Sequence, residues 1–378
     1  MPNNQLSAAK NAKNDEFYTR YEDIESEINS YVEYNPNIFK DKIILCPCDD
    51  PEWSNFTKYF AANFQRFGLK KLISTSYAIE SKVYVKEGYQ YSCADYLTQF
   101  EFVSPQYDSD KSTIKGKIFT LEKGINKDGK INIHDLKWSY LEGDGDFRSN
   151  EVKKLRDEAD YIITNPPFSL FREFLSWIME AKKHFLIVAN QNAYTYSEVF
   201  PLIKNNEIWA GTHAGDMAFK VPHFSEPRET RYWQDASGQK WRSMGNATWL
   251  TNIEHGQRHT KLQLMTMAEN LKYNNTLIKK LIKECGRAEY PRFDNINAIE
   301  VPLVEAIPSD YEGYMGVPIT FIDKYNPDQF EIVDALNRYT DCDYFGVNEE
   351  VQKRHSHCCN INGISVYKRI VIRRKKVE

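Results

Sequence analysis

Four consecutive residues, Asn165-Pro166-Pro167-Phe168, bring together a carboxamide, a stiffened backbone and an aromatic face. Each proline fixes its own φ and lacks an N–H, so the pair holds the chain extended. That combination suits methylation of an exocyclic amine. An aromatic amine donates its lone pair into its ring and is a poor nucleophile. The Asn165 side-chain oxygen and the Pro166 carbonyl, aimed at its hydrogens, would draw the nitrogen toward tetrahedral geometry and free that lone pair. Phe168 offers a face on which a base can stack.

The flanking residues say where such a loop sits. Tyr161-Ile162-Ile163-Thr164 is short, apolar and β-branched, which predicts a buried strand. Leu170, Phe171, Phe174, Leu175 and Ile178 then recur at helical spacing, and His184 to Ala189 predicts a second buried strand. The tetrapeptide therefore falls at the carboxyl end of a strand in a β-α-β unit, where open α/β sheets bind ligands. Alone it could be a proline-stiffened turn; its neighbours give it weight.

Those neighbours carry a resemblance. In order they are Asp15-Glu16-Phe17-Tyr18-Thr19, the run from Cys48 to Phe60, Gly145-Asp146-Phe147-Arg148, the loop itself, and Trp249-Leu250-Thr251-Asn252-Ile253. Their order and wording resemble the EcoRI-type adenine-specific DNA methyltransferases, users of S-adenosylmethionine. The similarity covers most of the catalytic half and thins toward the carboxyl end. It implies an α/β fold with a Rossmann-like class I methyltransferase sheet, helices on both faces, and a smaller mixed α+β recognition region. It also implies double-stranded DNA as partner, and a restriction endonuclease acting on the same site without necessarily touching this protein. The implied reaction is in-line methyl transfer to N6 of an adenine flipped from the duplex. Neither a cysteine nucleophile nor a metal is needed. Enzymes acting on RNA adenines or glutamine share the tetrapeptide, and N4-cytosine enzymes usually have serine where Asn165 stands. A DNA-binding factor without catalysis is the rival from another class.

The resemblance also implies roles for named residues. Phe17, Tyr18 and Thr19 would lie over the cofactor's methionine end. Asp146 would accept from the cofactor's adenine amine and Phe147 would pack on its ring, with Asp144 the alternative register. Between a first strand at Lys42–Cys48 and a helix, Cys46-Pro47-Cys48-Asp49-Asp50 stands where a glycine fingerprint usually marks a nucleotide site. Asp50 is the expected N-cap, with Pro51 opening the helix and Phe56, Tyr59, Phe60, Phe64 and Phe67 as its apolar stripe, ended by Gly68. Leu72–Tyr77 predicts the second strand. No acid directly follows it to bind the ribose; Glu80, Asp49 and Asp50 all remain open.

Length and charge set the frame. A chain of 378 residues holds two domains or one with insertions; we expect a catalytic region at 1–262, a β-rich insertion at 80–140, and target recognition at 263–378. Seven cysteines without a framework, no bilayer-length apolar run and a polar amino terminus point to a cytoplasmic protein. The net charge of −4 requires any DNA-binding face to be local. A loop from Arg228 to Arg242 fits that need, because Arg228, Arg231, Lys240 and Arg242 alternate with Tyr232, Trp233 and Trp241. The basic run ending at Lys376 is a second place for phosphate contacts. Residues 124–135 imitate a calcium loop with glycine at the first ligand position, and His355, His357, Cys358 and Cys359 lack comfortable zinc spacing, so no metal is expected.

Overall fold

The computed structural model describes residues 18–78, 84–86, 89–91, 108, 110–123, 137–221, 227, 229–294, 296–336 and 360–375. The chain divides into two compact units, one comprising residues 1–190 and 211–253, the other 191–210 and 254–378. The second unit thus takes in residues 191–210 as well as the carboxyl-terminal stretch from 254.

The first unit is built on one mixed sheet. Its strands are β1 (Tyr18–Thr19), β2 (Ile43–Cys46), β3 (Lys71–Thr75), β4 (Lys117–Glu122), β5 (Ser139–Tyr140), β6 (Tyr161–Thr164), β7 (His184–Asn190), β8 (Trp209–Lys220), β9 (Tyr232–Gln234) and β10 (Lys240–Thr251). Their order is β1-β8-β10-β7-β6-β2-β3-β4-β5, with β9 paired to β10. β3, β2, β6 and β7 form a parallel core. β2 and β6 are buried at every position, as expected of strands covered on both faces. Chain order runs outward in one direction from β2 to β3 and in the other from β6 to β7. The β2/β6 boundary is therefore a topological switch point, and the carboxyl ends of both strands open there.

β4 runs antiparallel to β3, and β5 to β4, so part of the expected insertion belongs to the main sheet. Tyr84–Lys86 and Tyr89–Tyr91 pair antiparallel on either side of the turn signal Lys86-Glu87-Gly88, of which positions 87 and 88 lie outside the described residues. The expected turn at residues 127–130 lies outside the described residues.

Among the described residues, α1 (Tyr21–Tyr34), α2 (Asn55–Ala62), α3 (Asn150–Glu158) and α4 (Phe171–Glu180) accompany the sheet, with a short helical turn at Phe64–Phe67 after α2. α2 starts a turn later than the sequence suggests. Asp50 accepts from the amides of Glu52 and Trp53 and so caps an isolated turn, whereas Ser54 is the N-cap, accepting from Phe56 N. The helix breaks at Asn63 and ends at Gly68 in the left-handed conformation. Phe56, Tyr59, Phe60, Phe64 and Phe67 are all buried, each worth roughly 1.5–3 kcal/mol of apolar burial.

α1 is fastened to β8 by a buried carboxylate. Glu27 accepts from Thr212 N and Oγ1, from His213 N and Nδ1, and from the Tyr31 hydroxyl, at 2.8–3.1 Å. Because β8 also pairs with β1, this contact fixes the strand that carries Thr19.

The second unit has its own sheet, β11 (Ala298–Glu300), β12 (Tyr314–Pro318), β13 (Phe330–Leu336) and β14 (Arg369–Arg374), in the order β11-β12-β14-β13. Two helices, α5 (Met267–Tyr273) and α6 (Asn275–Cys285), adjoin because Asn274 closes the first and caps the second. The basic tail is largely a central strand. Arg369 is buried in a bidentate pair with Glu300, Arg373 pairs with Glu331, and the Arg374 guanidinium binds the Ser309 carbonyl. No described helix is long and apolar enough to cross a membrane.

The Glu27 contact makes stability depend on pH. Its hydrogen bond raises the His213 pKa above the ordinary 6.5. The added stability is full below about pH 6.5 and fades as pH rises through the folded value. The thermal midpoint of His213→Gln should therefore fall less than that of the parent protein between pH 6 and pH 8. Equal slopes would show that the ion pair contributes nothing.

Candidate active site

The switch point gathers most of the residues singled out in the sequence. Asn165 follows β6 directly and is buried; its Nδ2 donates to Thr19 Oγ1 at 3.3 Å. That bond turns the amide so that its oxygen faces away from Thr19. Thr19 is itself held through its carbonyl by Asn55 Nδ2 at 2.8 Å. Pro166 is buried and Pro167 half-buried, so the stiff backbone of the loop is also packed. Phe168 is partly buried against the core and begins a short 3-10 turn leading into α4.

Beneath this loop lies Asp49. Its carboxylate accepts from Ser54 Oγ at 2.6 Å and from Thr164 Oγ1 at 2.5 Å. Its amide donates to Thr75 O, and its carbonyl accepts from Ser74 Oγ. One residue thereby joins the ends of β2, β3 and β6 to the cap of α2.

A pocket opens beside the loop, lined by Pro47, Cys48, Tyr77, Gly145, Asp146, Phe147, Pro167 and Leu170. Gly145 has φ +81°, and a Cβ there would lie 2.1 Å from the Ser76 carbonyl, so only glycine fits. Asp146 is gripped by Arg148 through Nε at 2.9 Å and Nη2 at 2.6 Å, while Arg148 also reaches Glu173. This pairing keeps the guanidinium protonated and its pKa above the usual arginine value. Phe147 packs edge-on against Phe174 and Trp177, with one face left to the pocket wall. Asp144 does not line the pocket; it turns the loop by accepting from Asp146 N.

The remaining expectations sort themselves around this geometry. Cys46 is fully buried in the core, where burial pushes its thiol pKa well up; it supports the pocket and does not line it. Asp49 and Asp50 were both left open as ribose acids, and each has partners within the fold. Asp50 lies 3.2 Å from the ammonium of buried Lys117, which also sits over the Trp138 ring. Phe17 and Glu80 lie outside the described residues, and of Tyr18 only the backbone pairing is described.

Within the stretch where a loop was expected, Tyr232–Gln234 pairs with Lys240–Arg242 as an antiparallel hairpin. Trp233 and Trp241 stand opposite each other with nearly parallel rings, 6.4 Å between centroids, and Trp233 is 42% exposed. Arg231 takes positive φ and pairs with Asp216 at 3.2 Å. Lys240 and Arg242 are half-buried, and Arg228 lies outside the described residues. Asn55, Thr164, Tyr77 and Gly145 were not singled out for these roles. Ser54-Asn55 before the aromatic stripe was the available signal, because serine favours the N-cap.

The model of the family described as adenine-specific methyltransferase EcoRI matches residues 5–375. The chain belongs to that family. Its activity is accordingly that of an adenine-specific Type II DNA methyltransferase. It is 39% identical over 378 residues to the Type II methyltransferase M.EcoRI of Escherichia coli, covering all of this chain and 98% of the relative. Identity is 32% over 376 residues with M.MpnI of Mycoplasma pneumoniae, covering 98% of each chain. M.MgeORF184P of Mycoplasma genitalium is 31% identical over 377 residues, covering 98% of this chain and 99% of the relative. No solved structure matches the chain.

Asp49→Ala should lower unfolding stability by roughly 2–4 kcal/mol, because two buried hydroxyl donors lose their acceptor. Urea denaturation measures this, and a loss below about 0.5 kcal/mol would mean that the strand ends hold together without the carboxylate.

Proposed function

We propose that the switch-point crevice is the catalytic centre, with S-adenosylmethionine as methyl donor and N6 of an extruded adenine as acceptor. The observation that carries this reading is the convergence of Asn165, Thr19 and the apolar pocket at the carboxyl ends of β2 and β6. The parallel β3-β2-β6-β7 core, reversing between β2 and β6, supports a Rossmann-like class I reading of the sheet.

The pocket residues fit the cofactor's adenosine. Pro47, Tyr77, Phe147, Pro167 and Leu170 provide flat apolar walls, and Asp146 provides an acceptor. Arg148 donates to Asp146 from its backbone N, Nε and Nη2, which fixes the carboxylate at the pocket wall as an acceptor that an adenine amine would share. Bound there, S-adenosylmethionine supplies an electrophilic methyl group on a sulfonium.

The chain's own residues prepare the nucleophile. The Asn165 oxygen and the Pro166 carbonyl accept from the two N6 hydrogens, which favours tetrahedral nitrogen and localises the lone pair. Thr19 holds the amide in the required orientation, and the prolines keep the two acceptors from relaxing. Phe168 stacks on the base and offsets part of the unstacking that flipping demands. Excluding water from the crevice strengthens these polar contacts.

The hairpin carrying Arg231, Trp233, Lys240, Trp241 and Arg242, extended toward Arg228, is our choice for duplex contacts, with sequence reading shared by the second unit. A restriction endonuclease recognising the same sequence is the expected functional partner, and DNA as substrate suggests a cytoplasmic location.

Asn165→Ala should reduce methyl transfer to plasmid DNA by at least roughly 100-fold while cofactor and DNA affinities stay within a few-fold. Its oxygen acts most strongly on the transition state, and such contacts appear in the rate. Turnover close to that of the parent protein would remove Asn165 from the mechanism.

A further inference from the structure

Two lysines flank the segment that holds Asn165. Lys58 lies on α2 one turn beyond Asn55, whose amide grips the Thr19 carbonyl. Lys220 ends β8 opposite Tyr18 in the β1 pairing. Lys58 Nζ donates to the Trp53 carbonyl at 3.1 Å and lies 5.9 Å from the centroid of that ring. Lys220 Nζ stands 5.9 Å from the centroid of Trp241.

Neither lysine makes an ion pair among the described residues. Lys117, by contrast, is neutralised by Asp50 and has Glu52 close by. Burial, and then the charge of Lys220, lower the Lys58 pKa; the charges of Asp50 and Glu52 oppose them and leave it still below its usual value. Two cations that repel each other beside a catalytic loop cost stability, and an anion between them would remove that cost. With a net charge of −4 on the whole chain, attraction for a polyanion has to come from local arrangements of this kind.

We propose that Lys58 and Lys220 together bind a backbone phosphate of the DNA strand beside the extruded adenine. The assignment rests on the reading that the Asn165 loop receives the base. It adds a contact from α2 and the end of β8, the elements that hold β1 through Asn55 and the Tyr18 pairing, which would hold the strand while the nucleotide rotates out. Trp241, under Lys220 and across from Trp233, continues the same surface onto the hairpin. A lysine ammonium suits this work, since it meets a phosphate as a compact charge without demanding a fixed plane.

The test uses the full chain as Lys58→Gln, Lys220→Gln, the double variant and Lys58→Arg. Binding to a fluorescently labelled random-sequence duplex is followed by anisotropy across a series of sodium chloride concentrations. Affinity for S-adenosylmethionine is measured separately by calorimetry without DNA. In the double variant the log–log salt dependence should become shallower by about one unit, and low-salt affinity should fall roughly tenfold. Lys58→Arg should keep the parental slope, and cofactor affinity should stay within about twofold in every variant. An unchanged slope in the double variant overturns the proposal. So does a loss of cofactor affinity, which would assign the lysines to the cofactor's carboxylate. Asn165→Ala acts on turnover and leaves this slope in place, so the two readings fail separately.

Discussion

Asp49 is almost fully buried, and burying a carboxylate is costly unless its oxygens are hydrogen-bonded. Here Ser54 and Thr164 supply hydroxyl donors, while the Asp49 backbone is tied to Ser74 and Thr75. Ser54 starts α2, Thr164 immediately precedes Asn165, and Ser74 and Thr75 end β3. The parallel strands of the switch point cannot shift relative to one another without leaving buried polar groups unpaired. That constraint sets the floor on which the catalytic loop stands.

From this floor the site is assembled by short-range connections. Thr164 leads into Asn165, Asn165 binds Thr19, and Thr19 is held by Asn55 from the helix that Ser54 caps. The circuit returns to Asp49. Glu27 closes a second, outer circuit by fastening α1 to β8, the strand against which β1 pairs. The loop's rigidity thus comes from proline geometry within it and from buried polar contacts around it. Preorganised acceptors are what an amine nucleophile requires, because they need no rearrangement as the nitrogen changes geometry.

The parts of this arrangement that depend on local patterning were legible in the sequence. Tyr161–Thr164 and the helix carrying Phe171, Phe174, Leu175 and Ile178 read correctly from apolar period and β-branching. What escaped depended on partners distant in sequence. Asp50, followed by proline, has every local credential of an N-cap, yet α2 starts at Ser54 because Asp49 binds the Ser54 hydroxyl and Asp50 faces Lys117. Residues 117–122 were assigned to an insertion because their alternating pattern fits any half-buried strand; only pairing with β3 reveals their place in the main sheet. In the basic run that ends at Lys376, Glu300 and Glu331 pair with Arg369 and Arg373 within a central strand, partners that the run itself does not reveal. Charge runs show composition, and only the fold shows which charges are already matched.

The account stands most directly on the bond between Thr164 and Asp49, and two near-isosteric changes isolate it. Thr164→Ser keeps the hydroxyl, whereas Thr164→Val keeps the volume and removes it. Single-turnover methylation of plasmid DNA with a radiolabelled methyl donor, at saturating cofactor, compares them. The serine variant should stay within about threefold of the parent rate, and the valine variant should be slower by roughly tenfold or more with cofactor affinity retained. Equal rates in the two variants would contradict the claim that the buried carboxylate positions the catalytic loop.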